Sequence, residues 1–241
     1  MTRRTPLAGL ALLASMLLTS CEKHDPAPPR RPATTSTAVG AIHGRALFIG
    51  AAPTPRPIDN HACHPGAKPI VDESVLVHPD GGLKNVVIYL KDAPSASPST
   101  TQPAIDQVDC RYDPHVLAIQ AGQKVIFKSS EPAAVAHNVH VASLGLNLSV
   151  TGPGALAPVK FDSPDFINVR CDVHPWMSCW IAVLDSPWFA VTDDHGLFEI
   201  KNVPTGTYTL TAWHERLPPL EQTVTINADV PSEVTFKYQA P

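Results

Sequence analysis

The sequence predicts an all-β protein built from packed β-sheets, on three observations. Proline supplies 26 of the 241 residues, well above its usual share, and proline is kept out of helix interiors and central strands. Apolar residues fall in short runs, separated at regular spacing by Pro, Gly, Asn and Asp, which is the texture of a sandwich. No segment keeps a helical apolar period over three turns.

The elements follow in chain order. Arg3 and Arg4 precede an apolar stretch, residues 7–18, too short to span a membrane as a stable helix. It ends Leu18-Thr19-Ser20-Cys21, which resembles the bacterial lipobox, where a cysteine after small residues receives lipid. Residues 1–20 are therefore expected to be a signal peptide and Cys21 a lipidation site. Glu22 follows rather than an aspartate, which by the same resemblance implies the outer membrane. Residues 21–40, rich in Pro, Ala, Thr and Arg, cannot bury a core and predict an extended tether. The expected location is the periplasm, anchored through lipid.

Strands are then expected at 42–48, at 85–90 after the Asp80-Gly81-Gly82 turn, and at 116–119, 125–128, 138–141, 159–161, 167–171 and 180–184, with a polar loop at 93–103. After Pro187 a turn at 192–196 leads into strands at 197–200, 204–213, 222–226 and 233–238. Two domains are predicted, 41–186 and 187–241, with 41–50 free to pair with the second. A net charge of −4 and the lack of a basic stripe argue against a nucleic-acid partner.

With Cys21 given to lipid, Cys63, Cys110, Cys171 and Cys179 remain in an oxidising compartment. Cys63 and Cys110 lie in irregular polar segments and are expected to form a disulfide. Cys179 lies two residues beyond Met177 on an outgoing strand, so both side chains share a face; Cys179 is expected to be free and buried. There is no Cys-x-x-Cys-His for covalent haem. A metal site from His61, Cys63 and His64 is weakly supported, and His115, His195 and His214 read as surface or sheet-edge histidines.

The run Cys171-Asp-Val-His174-Pro-Trp-Met177 places a thiolate, an imidazole and a thioether within seven residues. A soft thiolate, two imidazoles and a distant axial thioether are the ligand set of blue copper. Ala136-His137-Asn138-Val139-His140 supplies the second imidazole from another strand. His140 stands an odd number of residues from His137 and so faces the opposite way. Of three methionines, Met1 and Met16 fall in the leader, so Met177 alone remains at the axial spacing. Other roles stay open: structural zinc, a Cys–His nucleophile pair, or a disulfide from Cys171 to Cys179 or Cys110.

These two motifs together resemble the amicyanin- and plastocyanin-like cupredoxins over about residues 122–184. The resemblance implies a Greek-key sandwich holding one type 1 copper between His137, Cys171, His174 and Met177. Asn138 then ties the two ligand segments together, Trp176 shields the site, and His174 is an exposed electron port. The implied role is single-electron transfer rather than enzymatic catalysis, with a c-type cytochrome or a periplasmic dehydrogenase as partner. Copper storage or delivery, or an interaction module with an empty site, are the alternatives. The pattern D-x-H-G-x-F-x-I-x-N-V-P-x-G-x-Y-x-L-x-A-W from Asp193 resembles the carboxypeptidase regulatory-like domain, a small transthyretin-like sandwich. The pairing of the two resembles methylamine-utilisation-like lipoproteins.

Overall fold

A computed structural model describes residues 38–61, 63, 68–94, 96–132 and 135–239. The leader, Cys21, most of the tether and His64 lie outside them. Within one compact unit, residues 36–241, the described elements are nineteen strands and one 3-10 turn: β1 (Val39–Ile49), β2 (Pro57–Ile58), β3 (Ile70–Val71), β4 (Val87–Leu90), β5 (Ala104–Val108), β6 (Arg111–Asp113), β7 (Val116–Gln120), β8 (Lys124–Ser129), β9 (Ala136–Val141), the turn Ala142–Leu144, β10 (Leu146–Thr151), β11 (Gly154–Ala155), β12 (Val159–Lys160), β13 (Asp165–Arg170), β14 (Ser178–Leu184), β15 (Phe189–Val191), β16 (Leu197–Pro204), β17 (Gly206–His214), β18 (Leu217–Ile226) and β19 (Ser232–Gln239).

The strands form two sandwiches. In the first, the sheet β10-β9-β13-β14-β7 faces β11-β8-β5-β6, with β12 also paired to β8. Between them lies a core of Ile105, Tyr112, Phe127, Val139, Phe161, Val169, Met177 and Ile181. In the second, β16-β1-β19 faces β15-β4-β17-β18, around Ile42, Phe48, Ile88, Leu210, Phe236 and Tyr238. β1 pairs antiparallel with β16 and parallel with β19. β4, which the sequence reading placed in the first domain, pairs with β15 and β17 of the second sandwich.

A third apolar cluster joins the sandwiches, and strand alternation explains it. On β14, Cys179, Ile181 and Val183 enter the first core, while Trp180, Ala182 and Leu184 face outward into the third cluster. On β4, Ile88 and Leu90 enter the second core, while Val87 and Tyr89 meet the third. Successive side chains point to opposite faces, so a strand covered on both faces must be apolar throughout. Ile181-Ala-Val-Leu184 and Val86-Val-Ile-Tyr-Leu90 read that way.

Candidate metal centre

His137 is on β9, where His137, Val139 and Val141 are all buried, Val139 and Val141 within the first core. Cys171 follows β13 directly, and His174 and Met177 lie on the loop leading into β14. That loop is closed by its own backbone: the Cys171 amide donates to the Met177 carbonyl at 3.1 Å, and the Met177 amide to the His174 carbonyl at 2.9 Å. All four predicted ligands are buried, with His137 at 0%, Met177 at 1%, Cys171 at 3% and His174 at 7% exposure. Cys171 is a free thiol.

The donor atoms converge. His137 Nδ1 and His174 Nδ1 are 3.0 Å apart, and each lies 4.0 Å from Cys171 Sγ. A triangle with sides of 3.0, 4.0 and 4.0 Å has a point about 2.2 Å from every corner, within the range of metal–nitrogen and metal–thiolate bonds. Two neutral imidazoles cannot both turn lone pairs toward each other at that separation without a proton or a cation between them. Burial also pushes the His174 pKa down, which favours the neutral ring that binds metal.

The supporting groups set ring orientation. His137 Nε2 faces Glu131 Oε1 at 3.5 Å, the pair being 0% and 1% exposed. A carboxylate behind a histidine fixes its tautomer and turns the other nitrogen toward the metal position. Asn138 Oδ1 accepts from the Asp172 amide at 2.7 Å, and its Nδ2 donates to Asn147 Oδ1 at 2.7 Å and Asp172 Oδ2 at 3.0 Å. Tyr112 Oη donates to the carbonyls of Asn138, at 2.5 Å, and Arg170, at 3.2 Å, joining the two ligand-bearing strands. His140 lies on the opposite face of β9 and meets Asp172 Oδ1 at 2.9 Å.

Cys63 and Cys110 are joined in a disulfide and Cys179 is free and buried. Cys63 Sγ lies within 4.8 Å of nitrogens of His137 and His174. As a disulfide sulfur it has no thiolate to offer, so Cys171 is the sulfur that suits a metal. The alternative of a metal site using His61, Cys63 and His64 loses its thiolate to the same bond. The Cys110 amide donates to Glu131 Oε1 at 2.6 Å, and Trp176 Nε1 donates to the Cys110 carbonyl at 3.0 Å, with its ring 5.1 Å from that of His174.

Two expectations need correction. His174 was expected to be an exposed port, but Trp176 and the disulfide-bonded Cys63 lie against it and it is 7% exposed; Asp172, Val173 and Pro175 are the exposed residues of the loop. His115 and His214 were read as surface or sheet-edge histidines and are buried. His115 pairs with Glu215, which also accepts from Trp180 Nε1 at 3.0 Å. The sequence reading missed Glu131, Tyr112, Asn147 and Asp172. Asp172 alone had a local signal, as the polar residue between two ligands.

Comparison with known proteins gives partial matches. A family model described as polysaccharide lyase family 4, domain II matches residues 188–232, where the sequence resembled a carboxypeptidase regulatory-like domain. No curated protein matches the chain. Among solved structures, amicyanin from Paracoccus versutus is 17% identical, covering 40% of this chain and 96% of that one, with a TM-score of 0.30. A purple cupredoxin from Nitrosopumilus maritimus is 16% identical, covering 34% and 99%, with a TM-score of 0.30. A copper-containing nitrite reductase from Thermus scotoductus is 15% identical, covering 57% of this chain but 28% of that one, with a TM-score of 0.32.

Proposed function

We propose that this protein binds one type 1 copper ion through His137, Cys171, His174 and Met177 and carries single electrons in the periplasm, held to the outer membrane by lipid on Cys21. The observation that supports this most is the convergence of His137 Nδ1, His174 Nδ1 and Cys171 Sγ inside a buried sandwich end. The donor set favours copper over zinc: thiolate and thioether are soft ligands, and zinc has no use for Met177.

When bound, copper supplies a one-electron couple. The protein's residues hold the site in one shape for both redox states. Glu131 and the Asn138–Asp172 bonds fix His137 and the Cys171 loop, and Trp176 with the disulfide-tied segment keeps water from His174. Trp176 is half-buried and borders a surface cavity shared with Ile58, Val71, Arg111 and His115. With His174 enclosed, that indole, 5.1 Å from the His174 ring, offers a route to a redox partner such as a c-type cytochrome or a dehydrogenase.

The burial of His174 favours a second reading, copper storage or delivery. Voltammetry of the copper-loaded protein separates the two. A reversible one-electron wave with copper retained supports electron transfer; loss of metal on reduction, or no wave, supports storage.

A further inference from the structure

A second group of donor atoms lies on the other sandwich. His78, Asp80 and His195 each offer one ligand atom, all within 4.8 Å of one another. His78 Nδ1 lies 2.9 Å from Asp80 Oδ1, and His195 Nδ1 lies 2.9 Å from Asp80 Oδ2. The two rings are 4.0 Å apart at their centroids. The three side chains are one-third to one-half exposed, so a solvated ion can reach them.

The fold builds this arrangement from turns that must touch. A Cβ on Gly82 would stand 2.1 Å from the His195 carbonyl, and one on Gly196 would stand 2.2 Å from the Ala46 carbonyl. Glycine at both positions lets the 78–82 turn and the 193–196 turn press backbone to backbone. The Asp80 carboxylate is fixed as well: its Oδ1 accepts from the Gly82 amide at 2.9 Å and pairs with Arg45 at 2.5 Å. Oδ2 is left facing His195. Asp194 stands nearby but is paired with Lys84 at 2.6 Å, so Asp80 is the carboxylate that serves the two imidazoles.

We propose that His78, Asp80 and His195 form a second metal site, for a borderline divalent cation such as Zn(II) or Cu(II). Two imidazoles and one carboxylate match that class, and the lack of sulfur excludes a preference for Cu(I). In the metal-free form Asp80 holds the cluster together through its contacts with both Nδ1 atoms. A cation takes their place: each imidazole binds through Nδ1 as the tautomer protonated on Nε2, and any proton on Nδ1 moves to Nε2 or is released to water. Water completes the coordination, as expected of a site with three protein donors.

The test is Zn(II) titration of the full chain against a competing chromophoric chelator, with His78→Gln, His195→Gln, the double variant and Cys171→Ser alongside. Each single His variant is expected to weaken one zinc equivalent at least tenfold, and the double variant to lose it. Cys171→Ser must keep that equivalent, which separates this site from the proposed copper centre. On the wild-type chain, imidazole nitrogen resonances of His78 and His195 should move together as zinc is added. Unchanged zinc stoichiometry and affinity in the double variant, or resonances of these two rings that do not respond, would overturn the proposal.

Discussion

Asn138 touches no metal position, yet it fixes two of the segments that carry ligands. Its amide group satisfies the Asp172 backbone and the Asn147 and Asp172 side chains at once. Asn138→Ala strands these partners, and a partly buried donor left without a partner costs about 1–3 kcal/mol. The expected result is a matching loss in chemical denaturation together with faster copper loss to a chelator; equal chelation rates would show that Asn138 only packs. Met177→Leu should keep copper and raise the reduction potential, because a weak axial donor favours the oxidised ion; an unchanged potential would make Met177 a core residue. His214 sets a pH window. Burial holds its pKa at about 4, against about 6.5 in an unfolded chain. Between those values the unfolded chain takes up a proton that the folded chain refuses, so stability falls as pH drops through that range, by up to about 3 kcal/mol. His214→Gln should flatten the slope in urea denaturation across the window; an identical slope would place the proton uptake elsewhere.

At the scale of elements, the segment carrying β2, β3 and Cys63 decides how the metal centre meets solvent. It is tied to the start of β6 by a disulfide spanning 47 residues, and Cys63 packs against the first core. Replacing both cysteines with serine should cost about 2–4 kcal/mol, mainly through the freedom returned to the unfolded chain. It should also admit small anions to the centre, read as a change in the copper absorption on adding azide; a spectrum as insensitive as wild type would show that Trp176 alone excludes solvent. This segment was illegible in the sequence, because residues 57–58 and 70–71 form strands too short to carry a period. β14 and β4 were legible for the opposite reason, being apolar without a break where both faces are covered. β10 alternates as Leu146-Asn-Leu-Ser-Val150, with only Val150 buried, and was missed because its exposed face resembles a loop. The metal motif was legible because three of its donors lie within seven residues. Glu131 was not, since it stands outside both ligand motifs and leaves no spacing to recognise.

At the largest scale, the described residues form two sandwiches sharing a third apolar layer. Phe166 stacks on Trp213 at 4.3 Å, Trp180 meets Trp213 at 5.4 Å, and Ala182 and Val87 are fully buried there. Separating the halves would expose this layer and both outward faces of β4 and β14. A single cooperative unfolding transition is therefore expected, coincident for tryptophan fluorescence and far-ultraviolet circular dichroism; two separated transitions would show independent domains. Ala182→Asp, which buries a charge between the halves, should lower the midpoint seen by both probes together. In the proposed function, one buried end of this assembly presents His137, Cys171, His174 and Met177 to a single copper ion. The most direct test is the visible absorption spectrum of the purified chain during titration with Cu(II). An intense thiolate-to-copper band that saturates at one equivalent and is absent in Cys171→Ser is expected. Uptake of Cu(II) with no such band in the wild type would contradict the proposed function.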